Sequence, residues 1–337
     1  MSFKTYAVFL CALLLWPATV FAGGFCCQMP TGVQEDGTAS PSGVAVRLDY
    51  SYSYMSHFYE GSDKVSLDSV KNDPRFRKNG GVVPDDMTMQ RYTVSAAYAP
   101  TSKTRVILSV PWVINDMNMS MFMMGMWSTM KMRQVTSLGD ITVTGQYRIY
   151  QDRDVMPQVA LTAGVGVKTP SGKSTVATSS GKRVHAHMQP GTGSWDPILS
   201  LNFVDMLSSD FLLLADARYE VATENHLGYS YGDTASVGAC LKYNLLDFMN
   251  VSVGVNYFHS EQADDPHNSY NGHDPKRLTD FVGYTGEDNV WISPGIQVIP
   301  FKGASMDVKF QYPLYQHVPD IELVTDYRLM VGLSYSF

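Results

Sequence analysis

The stretch GVAVRLDYSYSY, residues 43–54, decides the fold. Val44, Val46, Leu48, Tyr50, Tyr52 and Tyr54 alternate with Ala45, Arg47, Asp49, Ser51 and Ser53. A period of two places the two sets on opposite faces of a strand. One face is apolar along its whole length, and the other carries Arg47 and Asp49.

The same pattern recurs to the end of the chain. Val106, Leu108, Val110, Trp112 and Ile114 alternate with Arg105 and Ser109, and Ile141, Val143, Tyr147 and Ile149 with Thr142, Thr144, Gln146 and Arg148. The last run sets Tyr327, Leu329, Val331, Leu333, Tyr335 and Phe337 against Asp326, Arg328, Ser334 and Ser336. About twelve such segments are predicted, near 43–59, 87–99, 103–114, 137–150, 155–168, 194–205, 210–222, 233–244, 249–260, 289–299, 304–315 and 324–337.

The connections alternate in length. Long segments after the first, third and fifth runs are separated by short turns at 100–102, 151–154, 206–209, 245–248 and 300–302. Long loops at one end, tight turns at the other and an even strand count form the pattern of an outer-membrane barrel. A soluble sandwich also alternates but has no reason to sort its loops by side. The expectation is an all-β fold: a closed antiparallel transmembrane β-barrel of about twelve strands, with long extracellular loops and short periplasmic turns.

Composition agrees. Of the 337 residues 17% are charged, against about 25% in ordinary soluble chains. No segment offers the roughly 20 uninterrupted apolar residues of a membrane helix. The formal net charge is −7 and there is no basic block, which argues against a nucleic-acid partner. Residues 1–22, MSFKTYAVFLCALLLWPATVFA, combine Lys4, a short apolar run and small residues around Ala22, the form of a secretory signal peptide. Residues 23–42 then form a periplasmic N-terminal segment or plug, and 43–337 the barrel.

In lipid the sheet must close so that every backbone group is paired. The apolar rows then face lipid and the polar rows the lumen. The predicted pore lining is Arg47, Asp49, Arg91, Arg105, Arg148, Asp216, Arg218, Glu220, Lys242, Asp307, Lys309 and Arg328, with Asp196 and Asp326 in the same rows. The mixed signs predict pairing across a narrow lumen.

The closing strand YRLMVGLSYSF, 327–337, ends on an aromatic residue preceded by apolar residues at alternate positions. It resembles the C-terminal signal of bacterial outer-membrane barrels, which implies the barrel-assembly machinery as a partner beside outer-membrane lipid. Three stretches resemble the outer-membrane family named for the putative meta-pathway of phenol degradation. They are SLGDITVTGQYRIY at 137–150, MQPGTGSWDPILSLNF at 188–203 and the closing 313–337. The resemblance implies an outer-membrane transporter or porin and does not identify a solute.

Residues 115–132, NDMNMSMFMMGMWSTMKM, hold eight of the 19 methionines. Parity carried up from the strands puts Met117, Met119, Met121, Met123, Met130 and Met132 on the lumen rows, joined by Met87 and Met89, unless a bulge intervenes, for which Pro111 is the candidate. Three readings stay open: malleable packing, an apolar entrance for solute, or capture of a soft metal such as Cu(I), with His185 and His187 as further donors. Cys26 and Cys27 are adjacent, and Cys240 has lumen parity; an oxidising compartment permits a bridge. Acidic and histidine residues crowd 261–277 as a polar loop. No phosphate loop, zinc-hydrolase spacing or nucleophile elbow occurs, so neither an enzyme nor a bound cofactor is expected. The expected function is a porin-like channel passing small solutes, apolar or aromatic ones among them. The alternative is an outer-membrane protein that binds or moves soft metal ions through its methionine face.

Overall fold

The computed structural model describes residues 43–154, 157–178 and 181–337. The signal peptide 1–22, the segment 23–42 and Cys26–Cys27 lie outside the described residues. The strands in chain order are β1 (Gly43–Glu60), β2 (Asp63–Val65), β3 (Gly81–Ala99), β4 (Thr104–Met123), β5 (Met126–Lys131), β6 (Val135–Leu138), β7 (Thr142–Gln151), β8 (Val159–Lys168), β9 (Asp196–Asp205), β10 (Phe211–Glu220), β11 (Thr234–Leu246), β12 (Met249–Ser260), β13 (Glu287–Phe301), β14 (Ala304–His317) and β15 (Ile321–Ser336). One short helix, α1 (Leu67–Asn72), is capped by Ser66, whose Oγ accepts from Ser69 N at 3.1 Å.

Twelve strands form a closed antiparallel barrel. Each pairs with its neighbour in sequence, and β15 closes on β1 through pairs such as Leu48↔Leu333 and Tyr52↔Leu329. The short β2, β5 and β6 pair onto β1 and β4 above the wall. No helix among the described residues is long and apolar enough to cross a membrane, and closure of the sheet removes the need for one.

The two faces sort as the alternation requires. Val46, Leu48, Val94, Val106, Leu108, Val165, Leu199, Val237, Val253, Val308 and Leu333 are exposed on the outside, whereas Ser51, Ser53, Thr93, Ser95, Ser109, Asn202, Asn256 and Gln311 are buried inside. Exposed aromatics mark both rims. Tyr98, Tyr147, Phe211, Tyr243, Phe248, Phe301 and Phe337 lie by the short turns, and Trp195, Tyr219, Tyr257 and Tyr315 by the long loops. Such paired girdles belong at the two membrane–water interfaces.

Two features depart from simple alternation. β3 and β4 climb far beyond the other strands, so the methionine-rich 115–123 is paired strand rather than loop. Pro111 sits in regular register with Thr93, and the bulge lies instead at Pro84/Asp86. On β15 a second irregularity opposite Met55–His57 leaves Asp326 out of the ladder. Asp326 therefore leaves the Arg328 row and bonds Ser56 Oγ at 2.6 Å and the half-exposed His57 Nδ1 at 2.6 Å. Thr325 and Leu323 face the lumen in its place.

Near the short-turn end ion pairs run along the inner wall rather than across the lumen. Arg47 bonds Asp49 at 2.7 Å and Asp307 at 2.8 Å. Arg47 reaches Asp307 over the intervening strand because Gly332 lies between them. A Cβ there would sit 1.9 Å from Arg47 Nη2, so the glycine in the closing strand is required by this crossing.

Candidate functional site

The long loops fold over the barrel mouth as three small cores. In the first, α1 and the end of the first loop pack Val70 and Phe76 against Phe58, Val83, Leu278, Tyr284 and Ile321. Arg75 ties this core to the last hairpin through Asp73 at 2.7 Å, Glu60 at 3.0 Å and Asp320 at 2.7 Å. The Arg75 hydrogen bond holds the Asp73 carboxyl below its ordinary range.

In the second core, Met87, Met117 and Met188 are buried with Val135 and Val184, and Met55, Met89 and Met132 pack against them. The structure thus brings Met87, Met89, Met117 and Met132 together. Met119 is buried outside this cluster; Met121 is half-buried, and Met123 and Met130 are exposed on the β4–β5 hairpin.

In the third core, loops 169–195, 221–233 and 261–286 meet through Ala186, Tyr229, Ala263 and Tyr270. Tyr229 stacks edge-on with Tyr231 at 4.9 Å and with Tyr270 at 4.8 Å. Tyr231 Oη donates to Ala186 O at 3.0 Å, Ser269 Oγ to Leu227 O at 2.7 Å, and Tyr270 Oη to Ser174 O. Burial pushes the Tyr270 hydroxyl up to about 12, so these phenols stay protonated donors. His185 Nδ1 meets the buried Asp280, which also receives Arg277 Nε at 2.5 Å. Burial alone raises the Asp280 pKa; the hydrogen bond and charge of His185, with Arg277, outweigh it and hold it low.

The two resemblance stretches 137–150 and 188–203 meet at the wall. Asp140 Oδ1 accepts Gly172 N at 2.9 Å, and Oδ2 accepts Thr192 N at 2.6 Å. Asp196 pairs with Lys168 at 2.8 Å, and Glu220 pairs with Lys168 at 2.5 Å and Arg218 at 2.7 Å. The PGTGSWD sequence therefore fastens the third long loop, 169–195, to the barrel.

Beneath this cap lies a cavity of about 410 Å³ inside the barrel. Its apolar wall is Met55, Met87, Met89, Met117 and Leu323, and its polar wall holds Arg91, Arg328, Lys168, Glu220, Glu287 and Glu322. Tyr229, Tyr231, Tyr284 and His187 form the ceiling.

The sequence-predicted lumen residues divide by height. Arg91, Glu220 and Arg328 line the cavity, with Arg218 bonded to Glu220. Arg47, Asp49 and Asp307 form the lower network. Lys242 Nζ donates to Gln297 Oε1 at 3.0 Å. Arg148, Asp216 and Lys309 are buried and Arg105 half-buried on strands of the wall. Of the two histidines, His185 is taken up in the loop lock and His187 reaches the cavity. Cys240 is buried beside Val204, Leu212 and Leu214 and is disulfide-bonded. Lys168, Glu287, Glu322, Tyr229 and Tyr231 were not singled out from sequence. Lys168 carries the lumen parity of its strand; the tyrosines carry no periodic signal.

His187 is exposed to the cavity, within the enclosed mouth of the barrel. That enclosure, and His185 beside it, lower its pKa below the ordinary imidazole value. The released loop therefore takes up a proton at higher pH than the closed cap. Stability of the closed cap falls as pH drops below about 6.5, until the depressed pKa of His187 is reached. Hydrogen-exchange protection over residues 184–188, taken relative to the base-catalysed intrinsic rate at each pH, is expected to fall several-fold between about pH 7.5 and about pH 5.5. His187→Gln should abolish the difference; a pH dependence unchanged in that variant would refute it.

The closed, loop-capped architecture is that of an outer-membrane-type β-barrel. An outer membrane channel from Pseudomonas putida F1 has a similar fold, at TM-score 0.58 and 13% identity, over 90% of this chain and 99% of that one. The P. putida toluene transporter TodX aligns at TM-score 0.43 and 10% identity, over 88% of this chain and 91% of that one. The NanC porin aligns at TM-score 0.43 and 9% identity, over 87% of this chain and all of that one. No family model and no curated protein matches the chain.

Proposed function

We propose that the protein is a porin-like outer-membrane channel that moves small solutes with an apolar part, by diffusion through a lumen gated by its long loops. One observation carries this reading: the cavity inside the barrel, directly under the loop cap, lined by both methionine and charged side chains. At about 410 Å³ it falls in the size range of small-molecule sites. Methionine suits such a wall because its thioether chain adapts to different shapes. Export by the 1–22 signal peptide, assembly by the barrel-assembly machinery, and kinship with the phenol meta-pathway family are parts of the same proposal. The three resembling stretches support the kinship; the closing strand supports the assembly route.

Single-channel conductance of purified protein in planar bilayers tests the channel. Discrete openings are expected, and a protein that conducts no ion and passes no small solute in liposomes would overturn the reading. The six-methionine cluster around Met87, Met117 and Met188 is also where soft-metal capture would occur. Among the described residues no group of three or more His, Cys, Asp or Glu is placed to hold a metal ion, so thioethers would have to supply most of the ligands. Ag(I) titration of wild type against Met87→Leu/Met117→Leu separates the two: equal, weak binding leaves the cluster as solute-lining wall.

A further inference from the structure

The cavity floor has an electrostatic arrangement unlike the rest of the lumen. Arg91 on β3 and Arg328 on β15 flank β1, opposite Ser51 and Ser53 respectively. The two serines are small and face inward, which leaves open space between the guanidinium groups. Arg328 is fixed there. Its Nε donates to Ser53 Oγ at 2.9 Å, its Nη1 to Gln311 Oε1 at 3.0 Å, and the group lies 5.2 Å from the Trp291 ring centroid. None of these partners is anionic. Arg91 makes no hydrogen bond or ion pair among the described residues; Glu220 and Asp140 act on it, and Glu287 acts on Arg328, only through space, while the two arginines repel each other.

Three other arginines of the barrel and its cap are held by carboxylates: Arg47 by Asp49 and Asp307, Arg218 by Glu220, Arg277 by Asp280. An enclosed cation without a directly bonded carboxylate is costly, and a guanidinium presents a planar fork suited to one. Met55 on β1, Met87 and Met89 on β3 and Leu323 on β15 stand above the two arginines on the same three strands and line the same cavity. Glu287 and Glu322 also line it, and Glu322 Oε2 is buried without a hydrogen-bond partner. With Glu220, three acids line the cavity and oppose a second negative charge on the solute.

The geometry points to a binding site for an organic monocarboxylate with an apolar body, its carboxylate on Arg91 beside Arg328 and its body along Met55, Met87 and Met117. The site deepens the channel reading by naming the solute class, yet binding and conduction are measured separately. The probe is 3-phenylpropionate, compared with its neutral amide, on full-length protein in detergent. Trp291 next to Arg328 supplies a fluorescence readout. Saturable quenching by the acid and little by the amide is expected. Arg91→Gln should weaken the acid at least about tenfold, and Arg91→Lys should recover much of the loss, with heat-modifiable gel mobility unchanged in both. Equal binding of acid and amide, or unchanged affinity in Arg91→Gln, would overturn the site while leaving a conducting channel intact. Binding without any conduction would overturn the channel and leave the site.

Discussion

Asp140→Ala is expected to release the third loop from the barrel wall and raise single-channel conductance several-fold. Asp140 stands between β6 and β7 and is buried. Its two oxygens accept the backbone N–H groups of Gly172 and Thr192. The Thr192 hydroxyl lies 3.0 Å from both Asp140 Oδ2 and Asp196 Oδ2 and has one proton to share between them. Removing Asp140 leaves two backbone donors without an acceptor in a site too tight for rearrangement. Each such loss costs about 1–3 kcal/mol. The tightness is visible at Gly191, where a Cβ would sit 2.4 Å from Asp140 Oδ1 and 2.7 Å from Gly172 Cα. Gly191→Ala should therefore act in the same direction by steric means. Bilayer recording and limited proteolysis of the third loop check both variants. Unchanged conductance with an unchanged cleavage rate would show that this latch does not hold the cap.

The latch also shows how far sequence reading reaches. Alternation located each barrel strand, because a wall with lipid on one side and a polar lumen on the other imposes a period of two on every segment. It identified Arg91, Glu220 and Arg328 as inward-facing from parity alone. Parity fails where the ladder is irregular: Pro111 holds register, Pro84–Asp86 does not, and Asp326 is displaced from its row by the irregularity opposite Met55–His57. Parity is also silent above the membrane. The 188–203 stretch is distinctive in sequence, but its partner Asp140 is fixed by contacts between loops some fifty residues apart. The ceiling tyrosines, and the pairing of His185 with Asp280, arise where separate loops collide, and no local pattern encodes such meetings. The methionines were legible as a group. Their division between a buried cluster and an exposed hairpin depends on the long β3–β4 pairing.

Asp280→Asn is the second large effect, and it separates the cap from the barrel. Asp280 joins loops 169–195 and 261–286: it is buried and receives His185 Nδ1 and Arg277 Nε. Asparagine preserves the size and removes the charge both partners need. Breaking a fully buried charged pair from one side costs about 3–5 kcal/mol; Arg277 keeps some contact with solvent, which lowers the cost to about 2 kcal/mol. At about 1.4 kcal/mol per tenfold, the open-cap population rises roughly thirtyfold. The barrel should keep its heat-modifiable mobility, since the strand ladder is untouched. The cap should fluctuate faster in bilayer recordings and exchange amide hydrogens sooner over 184–188 and 276–282. His185→Ala should reproduce much of this, and the double variant should add little, because both remove one coupled interaction. Fully additive effects of the two substitutions would mean that His185 and Asp280 stabilise the cap separately, and the lock between the loops would have to be abandoned.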